Sequence, residues 1–270
     1  MLEAFRSEWI KNRRRSMLIG AGLMPLLTII FVPLGIRRAL SGGGGGRFAG
    51  PGDLTKLVLE GDKGLTTLLS RGGTLSAVIA LAIVASSMAV EYPHGTLRNL
   101  LVRQPRRIQL LSGKFLSLLT FVFIAGTLSL GLGVLTALLV APGQGVDTAA
   151  WTSSTGVSNL VTLYWELLVT ILGYSVLGYF SAVLFRSPAA AVAVPLVYII
   201  ILENLIGAVW TDAPNWLYGK LLGGVINGES VLRSDTAVAG LSRGLTLSII
   251  YMAGMGMVSA LIFRFRDVTS

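Results

Sequence analysis

Six stretches of about 20 mostly apolar residues dominate the sequence, with short polar segments between them. Each is long enough to cross roughly 30 Å of membrane hydrocarbon as a helix. A helix is also the natural structure there, because a backbone in hydrocarbon must satisfy its own hydrogen bonds. Charged residues make up only 13% of the chain, about half the share typical of soluble domains. We therefore expect an all-α membrane protein with six transmembrane helices, at about 17–36, 72–90, 115–140, 160–185, 188–210 and 245–263.

Composition argues against several classes of site. The net charge is +9, but the basic residues lie between apolar blocks rather than on one soluble face, so we expect no nucleic-acid binding. The chain has no cysteine and one histidine, His94. It therefore cannot form a thiolate metal site or use a cysteine nucleophile. We expect no catalytic residue, no metal and no cofactor bound to this chain, and hence no enzyme activity of its own.

The distribution of Lys and Arg predicts the orientation of the spans. Thirteen of the 22 basic residues fall on one predicted side, and nine fall on the other side in longer connections. Since basic loops favour the cytoplasm, we expect both termini to be cytoplasmic in a multi-pass protein of a cell membrane. Arg37 and Arg38 run against this pattern. The first apolar stretch is longer than that of a signal peptide, so we expect it to be retained.

Two segments outside the spans are expected to be helical. Leu2, Phe5 and Trp9 recur at helical spacing, which predicts an interfacial amphipathic helix over 1–16, ahead of a six-span domain over 17–270. The alternative is a solvated basic tail that only sets the topology. Residues 211–244 are too apolar for free solvent, and we expect a short re-entrant or surface-lying helix there.

The connection between the second and third spans has an amphipathic pattern. Thr96 follows Gly95 and can cap a helix that begins at Leu97, and Pro105 ends that helix after about two turns. One side of the segment is apolar and includes Leu100 and Leu101, and the other side is basic and includes Arg98. Such a helix can dock on a partner or lie on lipid. A plain basic loop that only sets the topology is the alternative.

The same segment reads Glu-x-x-x-Gly-Thr-Leu-Arg-x-Leu-Leu from Glu91, and Gly113-Lys114-Phe115 opens the third span. This pattern resembles the ABC type-2 exporter permeases. It is most similar to the small six-span permeases of the bacitracin-export, lantibiotic-immunity and sodium-export type. The close likeness covers residues 91–115, about a tenth of the chain. The six-span layout, the cytoplasmic termini and the N-terminal helix extend it loosely over the whole.

The resemblance implies that this segment is a coupling helix, which sits in a groove of a separate ATPase subunit. The residues it assigns to coupling are Glu91, Gly95, Thr96, Leu97, Arg98, Leu100, Leu101 and Pro105. It further implies a location in the bacterial plasma membrane, with two permease copies, identical or sister chains, above two ATPase subunits that bind ATP and Mg. Substrate would pass between the permeases, largely past the second and fifth spans, and its identity (peptide antibiotic, lipid, drug or ion) is left open.

The chain has no nucleotide-binding loop of its own. A Walker loop needs Gly-x-x-x-x-Gly-Lys followed by Ser or Thr, so that backbone amides cradle phosphate and the hydroxyl binds magnesium. Here Gly113-Lys114 is followed by Phe115, and the position five before Gly113 is Ile108. We therefore expect a partner chain to hydrolyse ATP.

Glu166 and Glu203 are the acids within the predicted spans. An intramembrane carboxylate is costly and by default marks a cavity, a partner or a proton site. Counted from the predicted span ends, both acids could lie at one level, near Tyr198 and Asn204. We interpret Glu203, Asn204, Tyr198 and Glu166 as candidates for the lining of a translocation path. Alternatively, either acid hydrogen-bonds a neighbouring helix, or the helix breaks at Glu203 and Asn204.

The sequence leaves two other functions as alternatives. An intramembrane hydrolase or protease would need paired acids, a His–acid pair or a Gly-x-Ser-x-Gly elbow at one depth. The sequence has no such elbow, and His94 lies on the opposite predicted side from both acids. A secondary transporter or channel that works without an ATPase is the second alternative. It would be supported by inverted repeats, which are not visible in the sequence.

Overall fold

The computed structural model describes residues 2–41, 55–92, 107–227 and 241–265. Helices account for nearly all of these residues, and the described ranges contain no strand. Short 3-10 turns lie at Pro142–Gln144, Ala149–Thr152 and Ala213–Asn215. The helices are α1 (Leu2–Asn12), α2 (Arg15–Leu40), α3 (Lys56–Glu60), α4 (Gly64–Ala89), α5 (Arg107–Val140), α6 (Ser154–Phe185), α7 (Pro188–Val197), α8 (Glu203–Val209), α9 (Tyr218–Asn227) and α10 (Leu241–Phe265).

Six helical segments are long and apolar enough to cross a membrane, one in each predicted block. The fifth is composite, because a π-helical turn at Tyr198–Leu202 joins α7 to α8. The prediction of an all-α, six-span chain is confirmed, and length and composition make it a multi-pass membrane protein. Several helices extend past their apolar blocks. For example, α4 begins at Gly64 and α5 at Arg107.

The centre of the bundle is the contact between α4 and α6, the two most buried spans. Gly178 of α6 lies directly against the α4 backbone, where an added Cβ would be 2.7 Å from the carbonyl oxygen of Leu81. In membranes, helices gain stability from such close packing because lipid removes the usual hydrophobic drive. Glycine at this position therefore sets the distance between the two central helices.

Hydroxyl groups add polar contacts between the helices. Thr28 of α2 hydrogen-bonds Ser129 of α5 with an O···O distance of 2.7 Å, and Ser129 is 3.4 Å from the hydroxyl of Ser76 in α4. All three side chains are buried. Because such groups have no water to bond inside the bundle, this cluster favours one arrangement of α2, α4 and α5.

Pro195 interrupts the backbone hydrogen bonds of α7, but the carbonyl that loses its backbone donor still accepts a hydrogen bond. A proline cannot donate to the carbonyl four residues earlier, here that of Ala191. The hydroxyl of Ser181 in α6 donates to this carbonyl instead, at 2.7 Å. A neighbouring helix thus satisfies the group that the proline frees, which is how membrane helices tolerate internal prolines.

The two ends of the bundle differ in what caps them. At one end, which we call the α1 end, α1 packs against the start of α5. At the opposite end, α9 packs against α6, α10 and α4 through a buried apolar face. That face consists of Tyr218, Leu221, Leu222, Val225 and Ile226. The prediction of a short helix within 211–244 is met by α9, and whether it is re-entrant stays a prediction.

Candidate functional site

A buried network of charges lies at the α1 end, where α1, the end of α4 and the start of α5 meet. Lys114 of α5 forms an ion pair with Glu91, which follows α4, and its Nζ lies 3.9 Å from a carboxylate oxygen of Glu8 in α1. Glu8 also pairs with Lys11. We call Glu8, Lys11, Glu91 and Lys114 the ion-pair junction.

Burial makes these pairs depend on one another. Lys114 is 7% exposed and Glu8 is 4% exposed. Taking a charge out of water is costly, and removal of one partner leaves the other uncompensated. Lys114 therefore needs a carboxylate beside it, and it has two, Glu8 in α1 and Glu91 after α4. The network holds α1 and the end of α4 against the start of α5.

A neutral contact strengthens the same junction. The side-chain amide of Asn12 in α1 donates to the hydroxyl of Ser117 in α5 at 2.9 Å, and both groups are buried. On the α6 side, the guanidinium of Arg186 lies 5.6 Å from the centre of the Tyr92 ring, within the range of a cation–π contact. Tyr92 follows Glu91, so the segment after α4 also contacts the end of α6.

Two residues of the ion-pair junction flank the segment for which the sequence predicts a coupling helix. Glu91 lies where this segment begins, and Lys114 lies two turns into α5, the helix that follows it. The other predicted coupling residues lie outside the described residues: Gly95, Thr96, Leu97, Arg98, Leu100, Leu101 and Pro105. Their roles stay predictions. Glu8 and the pairing of Lys114 were not predicted from the sequence, although a lysine next to a transmembrane stretch needs a partner and was a visible signal.

A second polar site surrounds Glu203, at the start of α8. This side chain is 1% exposed. Its carboxylate accepts the backbone N–H of Gly219 at 2.7 Å, in the first turn of α9. The N-terminal turn of a helix has free N–H groups and a partial positive charge, both of which favour a carboxylate. Glu203 therefore caps α9 from another helix, and the Tyr198 hydroxyl faces the same carboxylate.

Gly219 is the residue that allows this approach. An added Cβ there would lie 2.7 Å from one carboxylate oxygen of Glu203 and 3.1 Å from the other. One turn along α9, a Cβ added at Gly223 would have no atom within 4 Å. The close contact is therefore specific to Gly219.

An exposed polar pair accompanies this site. The amide oxygen of Asn204 accepts a hydrogen bond from Lys220 Nζ at 2.6 Å, and the amide nitrogen donates to the carbonyl of Ile200 at 2.6 Å. Asn204 is exposed. Around it, the fifth span exposes an apolar surface that includes Ile200, Ile201, Leu205, Val209 and Trp210.

Two tyrosines fix the start of α9. Tyr218 donates to the carbonyl of Gly173 in α6 at 2.8 Å, and Tyr251 of α10 donates to the carbonyl of Trp216 at 3.1 Å. Burial raises the pKa of Tyr218 well above its usual value. This hydroxyl therefore stays protonated and remains a donor at physiological pH. Together with Glu203, these contacts define where α9 begins.

A protein family model described as a protein of unknown function, DUF2705, matches residues 66–269. The chain belongs to the DUF2705 family. The matched region takes in nearly all of α4 and everything that follows up to residue 269. No curated protein and no solved structure matches the chain. The family's description states no activity, so function must be argued from the two sites of this DUF2705 member.

The two membrane acids have different hydrogen-bond partners. Glu203 accepts the N–H of Gly219 in the first turn of α9, next to Tyr218, which bonds Gly173. Glu166 precedes Gly173 on α6 by seven residues, or about 10 Å. Glu166 is half-buried, and its carbonyl accepts a hydrogen bond from Thr170. That the two acids lie at one level stays a prediction.

The structure brings Tyr198, Glu203 and Asn204 together beside α9, and Glu166 lies within α6. A lining role for these four residues stays a prediction, and Glu203 also matches the alternative of a bond to a neighbouring helix. Among the described residues, no three His, Asp or Glu side chains are grouped as a metal site.

Proposed function

We propose that this chain is the membrane permease subunit of an ATP-driven exporter. In this proposal, residues 91–107 dock on a separate ATPase subunit, and two ATPase copies bind ATP and Mg. The observation that carries the proposal is the buried ion pair between Glu91 and Lys114. It joins the helices that flank the proposed docking segment, so a push on that segment would move α4 and α5 together.

The N-terminal helix supports the same role. Glu8 and Asn12 attach α1 to α5 beside the proposed docking segment. A docking loop that transmits force needs a rigid base, because a loosely held loop would absorb the movement. Three helices joined by buried polar contacts provide such a base. Closure of the ATPases would then tilt the spans as rigid elements and expose the path to the outside, a form of alternating access.

The exposed face of the fifth span supports a second permease copy. Asn204 and Lys220 form a polar pair in the middle of an otherwise apolar exposed surface. A polar pair of this kind is unfavourable against lipid and typically faces a bundle interior or another subunit. We therefore place the partner permease, identical or sister, against the surface formed by α7 and α8. Substrate would pass along this interface, and its chemical identity is open.

The test is to express the tagged chain in its native host and identify what co-purifies. The proposal expects an ATPase subunit at near one-to-one ratio, lost when Leu100 and Leu101 are both changed to Asp. The matched control is Leu57→Asp, because Leu57 is 85% exposed and lies on the opposite side from the loop in the predicted topology. A chain that purifies alone and moves solute in vesicles without ATP would instead be a secondary transporter or channel.

A further inference from the structure

We propose that a groove between α2 and α4 binds an anionic phospholipid, with one acyl chain between the helices and the phosphate at Arg14. This inference goes beyond the exporter function and does not require an ATPase partner. It rests on the shape of the groove, on its walls and on the charges at its mouth.

The groove is a partly open cavity of about 500 Å³ at the α1 end. This volume lies within the range of about 300–1,000 Å³ typical of small-molecule sites. Its walls are largely apolar and include Met17 and Leu23 of α2 and Ile79 and Ile83 of α4. Leu23 is 43% exposed, so the rim of the groove reaches the lateral surface of the bundle. An acyl chain could therefore enter from the side.

The two helices also touch along the groove, where the Ser87 hydroxyl donates to Met17 Sδ at 3.2 Å, so the groove lies along one side of their contact. Beyond Pro25 they are in closer contact, since an added Cβ at Gly35 would lie 2.6 Å from Leu68 and one at Gly72 would lie 3.4 Å from Thr28. A proline inside a helix removes one hydrogen bond and commonly bends it. The groove thus lies between Pro25 and the start of α2. Along α2, from Arg14 to Leu23, it extends for nine residues, or about 14 Å.

The charges at the mouth favour an anion. Lys11 pairs with Glu8 and Lys114 pairs with Glu91. Arg14 also lines the groove and forms no ion pair within the described ranges. Among the described residues that line the mouth, one positive charge is therefore uncompensated. Arg14 is exposed, as are its neighbours Arg13 and Arg15. Basic residues next to a membrane span attract anionic lipid headgroups, and a guanidinium binds phosphate through two parallel hydrogen bonds.

The experiment reconstitutes the full chain in vesicles of equal phosphatidylglycerol and phosphatidylcholine. The chain is then extracted in mild detergent, and each retained lipid is counted per chain by mass spectrometry. The wild-type chain should retain an excess of phosphatidylglycerol. Arg14→Gln should lower this excess about tenfold or more, the factor expected when the hydrogen bonds between a guanidinium and a phosphate are lost. Arg13→Gln removes the same charge from an exposed residue outside the groove and should change retention less than twofold, because no anionic surface remains to attract it once the bilayer is removed.

A second pair of variants tests the acyl-chain site. Gly20 lines the groove, and an added Cβ there would meet Ile83 at an ordinary 3.7 Å, whereas Gly22 has no neighbour within 4 Å. Gly20→Leu should fill the groove and lower retention of both lipids, and Gly22→Leu should not. If the two arginine variants, or the two glycine variants, change lipid retention equally, the proposal is overturned. If Gly20→Leu does not fold, the comparison of Arg14→Gln with Arg13→Gln still tests the proposal.

Discussion

The carboxylate of Glu203 accepts the backbone N–H of Gly219 across 16 residues of chain, at 2.7 Å. Tyr218, the residue before this glycine, donates to the carbonyl of Gly173 in α6. The start of α9 is therefore attached to two different spans by adjacent residues. This attachment makes α9 part of the packed bundle rather than a loosely held connection.

The contact between Glu203 and α9 predicts unequal effects for two glycines of one helix. Gly219→Ala places a methyl group 2.7 Å from a buried carboxylate oxygen. It should lower the free energy of unfolding by about 1–3 kcal/mol, because the carboxylate must move away from its donor. Gly223→Ala meets no atom within 4 Å and should be neutral or stabilising by up to about 1 kcal/mol. Unfolding in detergent, followed by tryptophan fluorescence, measures both, and equal destabilisation would contradict the capping role.

The ion-pair junction predicts a large effect at Lys114. Lys114→Met removes the cation that lies between the carboxylates of Glu8 and Glu91, which should lower the free energy of unfolding by about 3–5 kcal/mol. Adding Glu8→Gln and Glu91→Gln to Lys114→Met should recover part of the loss, since the carboxylates that lost this cation are then neutral. The measurement is again unfolding in detergent.

The control for this prediction is the exposed pair between Lys56 and Glu60, whose atoms are 3.6 Å apart. Lys56→Met should change the free energy of unfolding by less than about 1 kcal/mol, because water screens surface pairs. If Lys114→Met and Lys56→Met have similar effects, the junction does not hold the helices together.

The proposed permease pair predicts a specific cross-link. The chain has no cysteine, so Leu205→Cys introduces a single thiol on the exposed face of α8, where Leu205 is 61% exposed. Oxidation in native membranes should give a disulfide-linked dimer if this face meets the same face of a second copy. Leu128→Cys on α5, at 58% exposure, is the matched control and should remain monomeric. Equal cross-linking at the two positions would argue against an interface at α7 and α8, and a cross-link to a different chain would indicate a sister permease.

The glycine between the central helices predicts a packing defect. Gly178→Ala brings a methyl group within 2.7 Å of the Leu81 carbonyl oxygen, so α4 and α6 must move apart. Overpacking of this kind should cost about 1–3 kcal/mol. Gly131→Ala on α5 meets no atom within 4 Å and should not destabilise the chain. Thermal unfolding in detergent separates the two, and a neutral Gly178→Ala would show that the central contact is softer than the structure implies.

The number and type of the membrane-crossing helices followed from the sequence. A run of about 20 apolar residues is a local property, and hydrocarbon permits few structures besides a helix. The ends of the helices were less predictable, because a helix continues past its apolar block for as long as its turns find contacts. Leu65, Leu68 and Leu69, for instance, precede the predicted second span, yet they are buried within α4.

The partners of the charged residues were decided only by the tertiary structure. Lys114 meets Glu8 and Glu91 because α1, α4 and α5 converge at one end of the bundle. Glu203 meets Gly219 because α9 returns to the fifth span. The sequence marks each of these charges as one that needs a partner, since its isolation from water is costly. The sequence does not say which partner each charge meets, because that depends on how the helices pack. The surfaces that pack against each other come from residues far apart in the chain.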